Sequence, residues 1–357
     1  MRNFESTKIT IAIEITSVLQ VLFVISLIRK LFSCSENLNI DIFYLNAHVN
    51  NETKETTSNL IKKFFKNIEF FDFTQSRLTE NRIREYRYDY LIVRSRMKIT
   101  SQNRFIFSRK FFSTTGNCPK TKEFIKFAKF DQLISVDDGL SNWEEYKVSY
   151  IRQIYFYWKS AIPMLFDPIC RKNFGVRHYS LFATNKKYNL RTIFLKTIQD
   201  LADEFTHDDE VEHLFIGIWP DFVGDRNRPT DTGKQLELLT YFKNSQMPNF
   251  DSLIFIKSHP KFELDLDRKE SPSFRRLKTE ITNLPTELLI QCLPNLKSIY
   301  GFPSTSFFLF ESILEKNVEV TVFKKADDAT LYPDRADFIV EKNPRVRLYD
   351  FGNQRCP

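Results

Sequence analysis

Glycine is scarce in this 357-residue chain, at 8 residues, and no Walker-type loop or Gly-x-Gly-x-x-Gly turn occurs. ATP hydrolysis and nicotinamide chemistry therefore have no support, because their phosphates are cradled by such glycine-rich turns. Cysteine is also sparse: Cys34, Cys118, Cys170, Cys292 and Cys356 are scattered, odd in number and form no Cys-x-x-Cys. That usage fits a reducing compartment and argues against a structural zinc site. There is no low-complexity tract, internal repeat or heptad run. A long uninterrupted apolar run is missing as well. The best candidate, residues 9–28, is broken by Glu14 and Gln20 and diluted by Thr10, Thr16 and Ser17. It carries no small-residue cleavage site. A strand at 8–15 followed by a helix at 17–29, with Thr16-Ser17 as the cap, reads better than a membrane anchor.

What is present is a globular composition, 42% hydrophobic and 27% charged, in a chain long enough for two domains. The net charge of +7 is unevenly spread. Residues 1–200 hold 32 Lys and Arg against 19 Asp and Glu, whereas residues 201–357 hold 20 against 26. A basic first half suggests an anionic ligand or surface: a membrane face, an acidic glycan or nucleic acid.

Hydrophobic patterning predicts strands at 40–44, 67–73, 88–94 and 133–136, with helices at 59–66 and 122–128. Short strands alternating with helices imply parallel βαβ construction, so residues 1–205 read as a Rossmann-like domain. Residues 148–180, aromatic and interrupted by two X-Pro bonds, read as surface helices and loops. An amphipathic helix at 189–205 and the acidic segment 207–212 mark the boundary. Residues 206–357 restart the pattern. Strands are expected at 213–218, 252–257, 298–300 and 318–323, and helices at 235–242, 287–292 and 306–315. The fold class is therefore α/β, with two Rossmann-like domains facing across a cleft.

Three polar clusters fall at the ends of predicted strands, where open α/β sheets bind ligands. The first is Asp137-Asp138-Gly139, after the run Leu133-Ile134-Ser135-Val136. Adjacent residues of extended chain point oppositely, so one carboxylate at most can meet a substrate while the other supports it. The second is Ile256-Lys257-Ser258-His259-Pro260-Lys261. Pro260 keeps His259 out of helical conformation, leaving an imidazole between two lysines, a setting for a general acid serving a phosphate leaving group. The third, Tyr300-Gly301-Phe302-Pro303-Ser304-Thr305-Ser306, puts hydroxyls at the start of an apolar helix, where amides and dipole attract an anion. Each cluster alone reads as readily as a turn or a cap. Gly217, in the first strand of the second domain, would let backbone approach a ligand. Asp265-Leu266-Asp267, amid Lys261, Arg268 and Lys269, reads as a solvated charged turn and not as a metal site.

In their order and wide spacing, Asp137-Asp138-Gly139, His259-Pro260 and Ser304-Thr305 resemble the three short motifs of bacterial sialyltransferases. The resemblance spans residues 10 to 325 and extends to Thr16 and Gln20 after the first strand. It is closest to the lipooligosaccharide sialyltransferases, with the bacterial polysialyltransferases next. It implies a GT-B fold, CMP-sialic acid as donor, inversion at the anomeric carbon, and neither a cofactor nor a required metal. By the same resemblance Asp138 is the base that deprotonates the acceptor, and His259 is the acid or donor to the departing phosphate. Ser304 and Thr305 bind that phosphate, Lys257 adds charge there, and Glu287 holds the ribose hydroxyls. Asp137, Gly139, Pro260, Thr16 and Gln20 are supporting positions. Ser258, where the family often has proline, and Pro303 depart from the pattern and blur the acceptor class.

The implied partners are a nucleotide-sugar donor and an oligosaccharide, lipooligosaccharide or capsule acceptor. The basic half would make peripheral contact with anionic membrane from the cytoplasmic side. Nucleic acid is not implied, and a homodimer is left open. Two alternatives stand beside this reading: a GT-B enzyme using another nucleotide sugar, and a nucleic-acid or membrane-surface binder built on residues 82–98 and 104–112.

Overall fold

The computed structural model describes residues 8–32, 37–45, 51–73, 77–95, 121, 124–125, 127–137, 177–181, 183, 185–217, 233–246, 252–258, 273–314, 317–324 and 335–351. The chain divides into two compact units, Met1–Thr197 and Ile198–Pro357. The division falls ahead of the acidic 207–212 segment that marks the boundary in the sequence.

The first unit runs β1 (Ile9–Ile15), α1 (Val18–Leu31), β2 (Leu38–Tyr44), α2 (Asn51–Lys62), β3 (Ile68–Asp72), α3 (Arg77–Glu85), β4 (Arg87–Ser95), β5 (Lys129–Asp137) and β6 (Arg177–Tyr179). Its six strands lie in the order β3-β2-β1-β4-β5-β6, and every pairing is parallel. Parallel strands are covered on both faces, which is why β1 and β2 read as near-continuous apolar runs. Residues 9–31 form the strand, turn and helix that the sequence predicts. Ser17 caps α1 and accepts from the Gln20 N–H, and Arg29 and Lys30 close its last turn, where cations suit the helix dipole. No helix among the described residues is long and apolar enough to cross a membrane. Helix α4 (Arg191–Ala202) starts against α1, with Phe194 stacked on Phe23 and Arg29 donating to the Thr197 hydroxyl.

Glu14, the charge that breaks the first apolar run, is wholly buried. Its carboxylate accepts from the Arg94 backbone N–H at 3.3 Å, the Arg94 Nε–H at 3.2 Å and the Thr121 hydroxyl. A buried charge tolerated in this way needs both a counter-charge and satisfied lone pairs, and it has them.

Three elements of this unit differ from the sequence expectation, which in the second unit leaves the elements at 274–276, 279–282, 335–342 and 346–350 unassigned. Helix α2 occupies 51–62 and not 59–66: its first turns are polar and buried only at Thr57, so they carry no apolar period. Helix α3 was not anticipated for the same reason, since Ile83 is its buried anchor. Strand β6 falls in the stretch read as surface helices and loops; three residues, Arg177–Tyr179, are too few to show alternation.

The second unit runs β7 (His213–Ile216), α5 (Gly233–Gln246), β8 (Ile254–Lys257), β9 (Phe274–Arg276), α6 (Thr279–Thr282) and α7 (Thr286–Leu289), which passes into a 3-10 turn at Ile290–Cys292. It continues with β10 (Ser298–Gly301), α8 (Thr305–Ile313), β11 (Glu319–Lys324), α9 (Arg335–Lys342) and β12 (Val346–Asp350). The sheet order is β12-β11-β10-β7-β8-β9, again all parallel. Its core is aromatic, with Phe215, Phe242, Tyr300, Phe302, Phe323 and Phe351 in one cluster. The α/β class with two Rossmann-like domains thus holds. Each sheet reverses its strand order at one point, between β1 and β4 in the first unit and between β7 and β10 in the second. Ligands of open α/β sheets bind outside the carboxyl ends of strands at such points.

Candidate functional site

At the reversal point of the second sheet, β7 and β10 pair in register with Gly301 opposite Ile216. A Cβ on Gly301 would lie 2.6 Å from the Ile216 carbonyl oxygen and 3.1 Å from the Phe307 ring. Only glycine permits this approach of strand to strand and strand to helix. Gly217, the residue after β7, is buried, and its N–H donates to the Lys257 carbonyl at 2.9 Å. Its amide therefore extends the β7–β8 ladder.

Helix α8 begins beside this edge. Ser304 occupies its N-cap position with extended backbone, yet its side chain makes no capping bond. The Ser304 Oγ is buried and has no hydrogen-bond partner among the described residues. A serine at this position ordinarily accepts from the second or third helical N–H, worth about 1 kcal/mol, so its hydroxyl is both out of water and unused. Two residues on, the Ser306 hydroxyl donates to Glu287 Oε1 at 2.9 Å. Glu287 stands in the first turn of α7 and is 1% exposed. Burial pushes its carboxyl above the ordinary range, against the pull of its own backbone N–H, the Ser306 hydroxyl and the Lys257 charge.

Lys257 ends β8 and is 4% exposed. Its Nζ donates to the Thr282 carbonyl at 2.7 Å and the Leu284 carbonyl at 2.8 Å, which places it under the turn joining α6 to α7. Burial lowers its pKa to about 8, opposed by the Glu287 carboxylate. Gly217, Lys257, Glu287 and Ser304 thus gather around the carboxyl ends of β7, β8 and β10. Thr305 opens α8 through its backbone; its side chain, like His259 and Pro260, lies outside the described residues.

In the first unit Asp137 ends β5 and is completely buried. Its Oδ2 accepts from the Leu181 N–H at 3.1 Å, and its Oδ1 faces His178 Nε2 at 3.1 Å. His178 Nδ1 lies 2.9 Å from the Ser135 hydroxyl. A carboxylate oxygen only accepts, so the bond to Asp137 is donated by the Nε2–H of His178. Asp137 thereby ties β5 to β6 and holds no oxygen toward solvent. Asp138 and Gly139 lie outside the described residues. Thr16 donates to Gln20 Oε1 through its N–H at 2.9 Å and its hydroxyl at 3.2 Å, while Gln20 Nε2 donates to the Glu14 carbonyl at 2.8 Å. Both residues fix the β1–α1 turn.

Sequence reading does not single out Gly301, Ser306, Ser135 or His178 as site-forming. Gly301 and Ser306 lie inside a motif that was noticed, so their signal was position. His178 has none, because its partners are other strands. Among the described residues no three His, Cys, Asp or Glu side chains gather as a metal ion would need.

No family model matches the sequence, and no curated protein matches it. Solved structures similar to the chain include a sialyltransferase from Photobacterium damsela, 14% identical, covering 96% of this chain and 81% of that one, with a TM-score of 0.44. The E. coli heptosyltransferase WaaC with ADP is 9% identical over 94% of this chain and 98% of that one, at a TM-score of 0.43. A UDP-N-acetylglucosamine 2-epimerase described as putative, from Listeria monocytogenes, is 12% identical over 96% and 84%, at 0.46. Similarity at this level leaves the activity to be read from the chain's own residues.

Proposed function

We propose that this protein is an inverting, metal-independent sialyltransferase that moves sialic acid from CMP-sialic acid to a glycan of a bacterial surface polysaccharide or lipooligosaccharide. The observation that carries the donor half of this reading is Ser304: a buried hydroxyl, unpartnered among the described residues, at the start of α8, at the reversal point of the second sheet. Leaving such a group unsatisfied costs about 1–3 kcal/mol unless something accepts from it or donates to it. A phosphate at the helix start would meet the hydroxyl, the unpaired N–H groups and the positive end of the dipole together. One phosphate carries less charge than a diphosphate, so fixed protein donors can take the place of a metal ion. Glu287, Gly217 and Thr305 complete the donor site in this reading, with Glu287 at the ribose.

The ordered motifs supply the chemistry. Asp138 takes the proton of the acceptor hydroxyl, and His259 donates to the departing CMP phosphate, with Pro260, Gly139 and Asp137 in support. The enzyme works in the cytoplasm, at the inner face of the membrane, where the basic first half meets anionic lipid.

The test is incubation of the purified protein with CMP-sialic acid and terminal galactosides or sialosides. Transfer with release of CMP is expected, and Asp138→Ala should slow it by about 10²–10⁴. Absence of both transfer and CMP release, with Asp138→Ala changing nothing, refutes the proposal; transfer from a different nucleotide sugar in a donor panel replaces the donor. Ser304→Ala should weaken CMP binding while leaving folding stability unchanged or raising it by about 1 kcal/mol, because it deletes an unsatisfied buried hydroxyl.

A further inference from the structure

We propose that Lys257 is a positioning residue of the donor site: its ammonium holds the turn between α6 and α7 and through that turn sets Glu287 against the start of α8, without touching the donor's phosphate. This rests on the nucleotide reading of the site above, and it assigns Lys257 a different task from that of a phosphate counter-charge.

The geometry is specific. An ammonium has three protons, and two of them are taken by the Thr282 and Leu284 carbonyls at 2.7 and 2.8 Å. Those carbonyls belong to α6 and to the turn that leads through Pro285 into α7. Helices of four residues, Thr279–Thr282 and Thr286–Leu289, are too short to hold their own direction. Lys257 is anchored on β8, paired on both sides and one strand from the reversal point, and is nearly inaccessible to solvent. Its two bonds therefore fix the irregular chain to the rigid sheet. Glu287 follows Leu284 by three residues and receives the Ser306 hydroxyl. The chain of contacts runs from β8 to the turn, from the turn to Glu287, and from Glu287 to the start of α8.

With two protons committed to these carbonyls and the side chain nearly inaccessible, an ammonium that moved out toward a phosphate would loosen these charge-assisted bonds and strand a buried carbonyl. The same ammonium stays within the field of Glu287, whose charge favours its protonated form. Lys257 thus balances a buried carboxylate at a distance while its protons serve the backbone.

Calorimetric binding of CMP and of cytidine to the full chain separates the two tasks, since only CMP carries the phosphate. Lys257→Met should weaken both ligands by a common factor, on the order of tenfold, leaving their ratio as in the wild type. Ser304→Ala should lower CMP affinity and spare cytidine. On a Glu287→Gln background Lys257→Met should add little, because both changes break the same linkage. If Lys257→Met does not fold, Lys257→Gln, which is neutral and keeps two N–H donors, is read by the same ratio. Loss confined to CMP, or no loss of either ligand, overturns the proposal while the site stands. A wild-type chain that binds neither CMP nor cytidine overturns the donor reading and this proposal with it.

Discussion

Replacing Gly301 by alanine sets two opposed effects against each other, and the structure decides which is larger. Alanine narrows the unfolded ensemble and is favoured over glycine in a strand interior by about 0.5–1 kcal/mol. Against this, the new Cβ arrives 2.6 Å from the Ile216 carbonyl oxygen, where ordinary contact begins at 3.4 Å. The obstacle is backbone in a paired strand, and the Phe307 ring at 3.1 Å closes the other direction. A shift of about 0.8 Å between β7 and β10 would relieve the clash, and overpacking of this kind costs about 1–3 kcal/mol. The net expectation is a loss of about 1–2 kcal/mol in the second unit, or a fall of about 2–8 °C in its Tm. Differential scanning calorimetry of the full chain reads it directly. The displaced edge is the one that carries Ser304, so under the proposed donor reading CMP affinity should fall with it. A transition at or above the wild-type temperature would show that β7 and β10 do not approach as closely as described.

Two further predictions concern buried charge. Arg94→Met leaves the Glu14 carboxylate in the core without its counter-charge, and the first unit should lose about 3–5 kcal/mol in urea unfolding; combining it with Glu14→Gln should recover most of the loss. A single-variant loss below about 1 kcal/mol would show that the pair is solvated. His213, against the Ser298 hydroxyl at 2.6 Å, has its pKa lowered by burial, with Lys297 adding to the shift and Glu212 opposing it. Its folded pKa lies below the unfolded value of 6.5, so its contribution is fully present above pH 6.5 and is lost as the pH falls below it. Urea midpoints at about pH 7.5 and pH 5.5 should therefore separate more for the wild type than for His213→Gln; equal separation refutes the assignment.

Much of the fold was legible because it is written locally. The Thr16-Ser17 cap, the apolar β1 and α1 and the strand end at Lys257 follow from neighbours in sequence, and the strands ending at Asp137 and Gly301 run one residue past their predicted ends. Polar helices such as α2 and α3 were obscure, since few of their residues are buried and no period shows. Partners distant in sequence were invisible. Glu14 read as a flaw in an apolar run until Arg94, 80 residues away, supplied its counter-charge. Asp137 meets His178 across 41 residues, and Lys257 meets Thr282 across 25. Backbone carbonyls leave no mark in composition, so no pattern could announce that a lysine in a motif serves the chain itself.

The two reversal points have a kinetic side. In each sheet the pairing at that point closes the longest loop: 79 residues separate Thr10 from Asp89 across β1 and β4, and 85 separate His213 from Ser298 across β7 and β10. Loop closure must precede the contacts that reward it, so such pairings form slowly. During synthesis β7 emerges long before β10, and until then one side of it is an open edge, able to pair with the wrong chain. Each reversal point is thus closed by the longest-range pairing of its sheet, and chains that end before residue 298 should leave β7 with one open edge and be prone to aggregate.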